Sequence, residues 1–327
     1  MAARPFRVSN RFVLWLLVGL CPALALAEEV DESQALQWLE RMNYSVANLS
    51  YEGRFVYLSG QSLEAMEIRH RIVDGRPRES LSTLTGNPRE VIRDADTLTI
   101  VTQVNGKTRR IQQPSRGKLS PLKPLEADKL RNHYRIKMGK LARIAGRYGV
   151  AIHLAPGDDL RYGYRLILDR ENALPLDLTV IDGRGQTVSR IMFTELEVTA
   201  EGARTLAASQ GQGLARKVAA KVPSDEPGAE ATASHWHFSR LPKGFQLISY
   251  QRLGGGRQEH FVFSDGLATV SAYIEPLAAG DKSFEGRARL GSINALGRRL
   301  EKAQLTVVGE VPQKTLELLA TALEERH

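Results

Sequence analysis

The chain has 327 residues, 42% of them hydrophobic and 25% charged, with a formal charge of +8 at neutral pH. That length buries one or two ordinary cores without disulfide support. The single cysteine, Cys21, excludes an intrachain disulfide framework and a cysteine metal cluster.

Cys21 also falls inside an expected export signal. Arg4, Arg7 and Arg11 precede the apolar run 12–20, and Ala25-Leu26-Ala27 forms a small-x-small cleavage site before Glu28. The run is shorter than the roughly 20 residues of a membrane span. Residues 1–27 are therefore expected to be a signal peptide cleaved after Ala27, releasing a soluble chain outside the cytoplasm. A lipoprotein reading at Cys21 is disfavoured because Leu20 stands where a small residue is expected. Loss of three arginines and no acid takes 45 basic residues to 42 against 37 acidic, a charge of +5. Outside the cytoplasm that excess suits lipid head groups, lipopolysaccharide phosphates or an acidic peptide, not nucleic acid. It equally suits plain solubility.

Residues 28–47 have helical spacing, with Leu36, Leu39, Asn43 and Val46 on one face. The period then becomes two. Tyr51, Gly53, Phe55 and Tyr57 alternate with Glu52, Arg54, Val56 and Leu58, and after Ser59-Gly60-Gln61 the alternation resumes with Met66, Ile68, His70 and Ile72 on one face, which predicts a β-hairpin. Asp74-Gly75, Asn105-Gly106 and Asp182-Gly183 are turn dipeptides between β-prone runs. Residues 98–104 and 149–154 read as strands. Tyr162, Tyr164, Leu166 and Leu168 share a face of another, Leu174, Leu176, Leu178 and Val180 of the next, and Ile191 and Phe193 mark a further one. Residues 122–133 have helix-forming composition and are expected to lie across the sheet. Residues 203–233 read as an interdomain linker with a short helix. Strands are expected again at 245–250, 259–263, 268–275 and 305–309, with a turn at Asp265-Gly266. Val311-Pro312 opens a last helix bearing Leu316, Leu319 and Leu323 on one face.

Little in this sequence points to catalysis. No nucleophile elbow, phosphate loop or dinucleotide-binding glycine pattern occurs in context. Gly254-Gly255-Gly256 reads as a loop between strands. His235-Trp236-His237 would put two imidazoles on one strand face, but no spacing supplies a third zinc ligand. Asp158-Asp159 lacks the arrangement of a general acid and base. No cofactor, metal or catalytic residue is assigned. The aromatic residues of the first half read either as one apolar sheet face or as a concave surface for acyl chains. The basic segment at Arg131, His133, Arg135 and Lys137 would face either anionic head groups or water.

Several segments carry a family likeness. They are Tyr51-Glu-Gly-Arg-Phe-Val-Tyr57, Glu67-Ile-Arg-His70-Arg, Arg161-Tyr-Gly-Tyr-Arg-Leu-Ile-Leu-Asp169 and Leu174-Pro-Leu176 in the first half. In the second they are Leu241-Pro-Lys-Gly-Phe245, Phe263-Ser-Asp-Gly-Leu-Ala268, Tyr273-Ile-Glu275-Pro and Val307-Val-Gly-Glu-Val-Pro312. In order and spacing the chain resembles the RseB/MucB family of periplasmic regulators of the sigma-E envelope-stress response. The resemblance implies a mainly β (α+β) fold. An unclosed antiparallel β-barrel of lipoprotein-carrier (LolA/LolB-like) type with covering helices would occupy residues 28–202, and a small α+β domain residues 234–327. It also implies a non-enzymatic negative regulator. Such a protein binds the periplasmic domain of a membrane anti-sigma factor, shields it from proteolysis, and is released by an acylated lipoprotein or lipopolysaccharide. The second domain lacks the cysteines of some relatives, so no redox control is expected.

On that reading the lipid-binding face is Phe55, Tyr57, Met66, Ile68, Tyr164, Leu166, Leu176 and Phe193. The anti-sigma partner is expected at Phe261, Phe263, Tyr273 and Ile274, by strand addition to a sheet edge. A homo-oligomer is left open. The alternatives are a periplasmic lipid or lipoprotein carrier without a signalling partner, and an exported hydrolase whose site only the fold assembles.

Overall fold

A computed structural model describes residues 21–94, 97–104, 107–114, 125, 127–211, 234–278, 280 and 282–326. The first twenty residues of the expected signal, the Asn105-Gly106 turn and most of the expected linker lie outside them. Helix α1 (Cys21–Asn48) leads into a run of antiparallel strands. These are β1 (Tyr51–Ser59), β2 (Ser62–Val73), β3 (Arg76–Thr83), β4 (Arg89–Asp94), β5 (Thr97–Val104) and β6 (Lys107–Pro114). A single helical turn, α2 (Ala127–Leu130), precedes β7 (Tyr134–Ile144), β8 (Arg147–Pro156), β9 (Gly163–Asp169), β10 (Pro175–Ile181) and β11 (Thr187–Val198). Helix α3 (Ala200–Gly211) follows and straddles the expected domain end at residue 202.

These strands form one 11-stranded sheet in the order β6-β5-β4-β3-β2-β1-β11-β10-β9-β8-β7. Consecutive strands pair from β1 to β6 and from β7 to β11, and β1 pairs with β11. The edges β6 and β7 do not pair, so the barrel is unclosed. The β7 edge is covered by α1, where Asp31 Oδ2 accepts from the Met138 amide at 3.1 Å. The helix buries Ala35, Leu39, Met42 and Val46, a stripe at helical spacing. Asn43 pins Leu125 over the sheet, accepting from its amide at 2.7 Å and donating to its carbonyl at 2.6 Å. Of the expected helix over 122–133, residues 122–124 and 126 lie outside the described residues; α2 covers 127–130 and a turn follows at 131–133.

The second unit begins with β12 (Trp236–Phe238), β13 (Gln246–Leu253), β14 (Gln258–Ser264) and β15 (Thr269–Pro276). It continues with β16 (Gly286–Leu290), β17 (Ile293–Arg299), β18 (Ala303–Gly309), α4 (Gln313–Ala322) and β19 (Leu323–Glu325). A six-stranded sheet runs β13-β14-β15-β18-β17-β16, and β12 pairs with β19. Phe261, Phe263, Val270, Leu305 and Val307 form a buried core with Leu316 and Leu319 of α4.

Candidate functional site

Side chains two apart on a strand share a face, and the concave face of the large sheet leaves a cavity of about 520 Å³. Phe55 and Tyr57 of β1, Met66 of β2, Tyr164 and Leu166 of β9, Leu178 and Val180 of β10 and Ile191 of β11 line it. Met42 and Leu125 border it as well. The wall is then completed by the other domain, through Leu267, Ala268, Thr269 and Glu310. Glu64, Arg89 and Ser189 are its other polar groups. Burial pushes the Tyr164 phenol well above its ordinary range, so it lines the cavity as a neutral group.

Five of the eight residues expected to face a lipid are therefore on this wall. Ile68, Leu176 and Phe193 are not. Ile68 pairs with Gly53, one step along from Phe55 and Met66, and is sealed in the core. Phe193 packs on Phe55, with ring centroids 5.4 Å apart, and its ring fills the space at Gly53, where a Cβ would stand 2.9 Å from it. Leu176 falls at a register shift between Pro175 and Asp177. It packs beside Ile167 at Gly149 on the opposite face, and Pro175 takes the cavity position.

The expected partner residues also need correction. Phe261, Phe263 and Ile274 are at most 3% exposed, in the core beneath α4. Half-buried Tyr273 stacks on His260 at 4.3 Å. Their strands β14 and β15 are interior, because β18 inserts beside β15. The free edges of this sheet are β13 and β16. His237 lies 3.6 Å from Glu324 across β12 and β19. Among the described residues no group of three His, Cys, Asp or Glu could hold a metal ion.

The two domains meet at a buried cluster that spacing alone does not announce. Arg161, just before β9, is fully buried. Its Nη1 donates to Asp265 Oδ2 at 2.6 Å and its Nε to Asp158 Oδ1 at 3.0 Å, while Nη2 donates to the Lys243 carbonyl. The guanidinium lies between the rings of Tyr134 and Phe245, 5.7 and 5.4 Å from their centroids. Tyr134 also donates to Asp265 Oδ2 at 3.2 Å. His133 packs against Gly244, where φ is +85° and a Cβ would strike the imidazole. Burial lowers the His133 pKa, as does the Arg161 charge. Around this cluster Lys314 pairs with Asp159 at 2.6 Å, Thr315 donates to the Leu160 carbonyl, and Asn294 donates to the Tyr162 hydroxyl at 3.1 Å. Arg161, Gly244, Asp265 and Glu310 all belong to segments that carry the family likeness.

An open antiparallel barrel holding an apolar cavity, capped by a smaller domain bolted across its mouth, is a binding architecture. Comparison with known proteins narrows it. Residues 34–216 match the MucB/RseB N-terminal domain and residues 230–324 the MucB/RseB C-terminal domain. The chain belongs to the MucB/RseB family. It is 32% identical over 324 residues to the sigma factor AlgU regulatory protein MucB of Pseudomonas aeruginosa, covering 95% of this chain and 96% of that protein. It is 27% identical to the sigma-E factor regulatory protein RseB of Escherichia coli K12 over 321 residues, 94% of this chain and 96% of that one. The solved MucA/MucB complex of Pseudomonas aeruginosa superposes with a TM-score of 0.65 at 27% identity, covering 90% of this chain and 99% of that chain. The relatives are thus named as regulatory proteins, and among the described residues no helix is long and apolar enough to cross a membrane.

Proposed function

We propose that this protein is a periplasmic, non-enzymatic negative regulator of a sigma-E-type stress response. It binds the periplasmic domain of a membrane anti-sigma factor and shields it from proteolysis. An acylated molecule, such as a lipoprotein or lipopolysaccharide, releases it by entering the cavity. The observation that carries this reading is the cavity itself: an apolar wall from one domain finished by residues of the other, in a family whose solved relative is in complex with MucA. Phe55, Tyr57, Met66, Tyr164 and Leu166 are the acyl contacts on this reading. Partner binding by strand addition would use β13 or β16, where backbone groups are free.

The test is calorimetry on the mature chain with the periplasmic anti-sigma domain of the same genome, with and without an acylated ligand. Affinity for the anti-sigma domain should fall when ligand is present. Unchanged affinity with ligand bound removes the release mechanism. Absence of anti-sigma binding leaves the carrier reading, which the cavity alone would satisfy.

A further inference from the structure

The Arg161 cluster is dry and lies off the cavity, but a second set of junction contacts faces into it. Glu310 follows β18 and precedes Pro312, the N-cap of α4. Its carboxylate stands beside the hydroxyls of Ser189 of β11 and of Ser292 in the β16–β17 turn, both of which pull its pKa down. Ser292 is itself tied to the large domain: Ser59 Oγ donates to its Oγ at 3.0 Å, and its amide donates to Ser59 Oγ at 2.9 Å. Ser59 and Ser189 are cross-strand partners on β1 and β11. The four side chains close a polar ring, with Ser59 and Ser189 from one domain and Ser292 and Glu310 from the other.

Two members of that ring, Ser189 and Glu310, line the cavity beside Tyr57 and Ile191. The backbone beyond Glu310 is fixed, since Asn294 Nδ2 donates to the Val311 carbonyl at 2.8 Å and Val311 is fully buried. The geometry points to Glu310 as the positioning residue that couples occupation of the cavity to the docking of the two domains. This rests on the acyl-site reading above.

The physical reason is desolvation. Burial already holds the Glu310 carboxyl above its ordinary range, against the pull of the two serine hydroxyls. An acyl chain along Ile191 and Tyr57 removes the remaining water from that wall. A charged carboxylate facing hydrocarbon is costly, so the chain favours the arrangement in which Glu310 leaves the ring. The domains then lose one of their two junction clusters. A ligand shifts such an equilibrium only by its differential affinity for the two arrangements, and the Glu310 carboxylate contributes to that difference alongside the buried hydrocarbon.

The mature chain contains no cysteine once Cys21 is removed with the signal, so Arg76→Cys with Glu301→Cys, both exposed, carries a donor and acceptor dye on the two domains. Palmitate is the probe, its binding measured by calorimetry and the interdomain distance by energy transfer. In the parent chain palmitate should change the transfer efficiency. In Glu310→Ala the unliganded efficiency should already match the parent's palmitate-bound value, with palmitate bound several-fold more tightly. Ser189→Ala opens the ring from the other domain and should act alike. Glu310→Gln keeps the shape and polarity beside the two serines but carries no charge, so the unliganded efficiency should stay at the parent's value and palmitate should change it much less. Glu310→Ala or Glu310→Gln with the parent's full change overturns the coupling role while palmitate binding leaves the acyl site standing. A parent chain that does not bind palmitate overturns the acyl site, and the coupling role with it.

Discussion

Replacing Arg161 by alanine should separate the unfolding of the two domains. The substitution deletes the charged partner of Asp265, the donor to the Lys243 carbonyl and the cation between Tyr134 and Phe245. Removing one member of a buried ion pair costs about 3–5 kcal/mol, because the other charge stays buried. Asp265 retains donors here: Tyr134 at 3.2 Å and the amides of Leu267 and Ala268 at 2.9 and 2.7 Å. The lower end applies, about 3 kcal/mol, or roughly 150-fold in the docking equilibrium. A chain beginning at Glu28 has one tryptophan in each domain, Trp38 and Trp236. Trp38→Phe therefore reports on the small domain and Trp236→Phe on the large one during urea unfolding. Both reporters should share one transition in the parent and split in R161A. A single R161A transition at the parental midpoint would refute the claim that this cluster holds the domains together. R161K keeps the charge but not the fork and should fall between.

Leu178→Trp projects an indole into the cavity. It should weaken palmitate binding at least about tenfold, and overpacking should cost no more than about 1–3 kcal/mol in unfolding; undiminished binding would place the ligand elsewhere. Gly244→Ala adds left-handed backbone strain of about 1–2 kcal/mol and a collision with His133, and should lower the small-domain midpoint while leaving the Trp38 transition in place. At Glu79, burial alone would raise the carboxyl, but the His70 hydrogen bond and the Arg93 charge outweigh it, so its pKa lies below the ordinary value of 4.5. Its stabilising contribution is therefore full above that value and lost as pH falls through the native pKa. Glu79→Gln should flatten the acid limb of the stability curve below about pH 4.5, and an unchanged limb counts against this network.

The same network explains why part of the large sheet is hard to read from sequence. The first hairpin is legible because Phe55, Met66 and Ile68 put apolar groups at every second position facing inward. On β3 and β4 the buried inward positions are Glu79 and Arg93, linked to each other at 3.1 Å and to His70 at 3.0 Å. Charges that neutralise one another in the sheet interior erase the period-two signal. The cavity wall was readable where the strands are regular and failed at Leu176, where one register shift reverses the face. Phe261, Phe263 and Ile274 were placed on real strands, but the order that puts β18 beside β15 joins residues far apart in the chain. Arg161, Asp265 and Glu310 read as ordinary turn and strand-end residues, since their partners lie in the other domain. Their one signal was membership of the segments that carry the family likeness.

Division of the junction into a dry cluster and a ring facing the cavity makes ligand length a physical variable. Burial of an acyl chain contributes about 0.8 kcal/mol per methylene. Moving a two-state equilibrium from 99:1 to 1:99 takes about 5.5 kcal/mol of differential affinity. About seven methylenes must therefore be buried in one domain arrangement and exposed in the other before an occupant fully shifts the domains. The cavity of about 520 Å³ lies across the junction, so a chain filling it meets both domains. Octanoate, at saturating concentration, should bind without the full change in interdomain energy transfer, and palmitate should complete it. A plot of the change against chain length should rise steeply instead of tracking occupancy. Equal changes from octanoate and palmitate at saturation would mean that the domains respond to the head group, and that buried hydrocarbon is not what moves them.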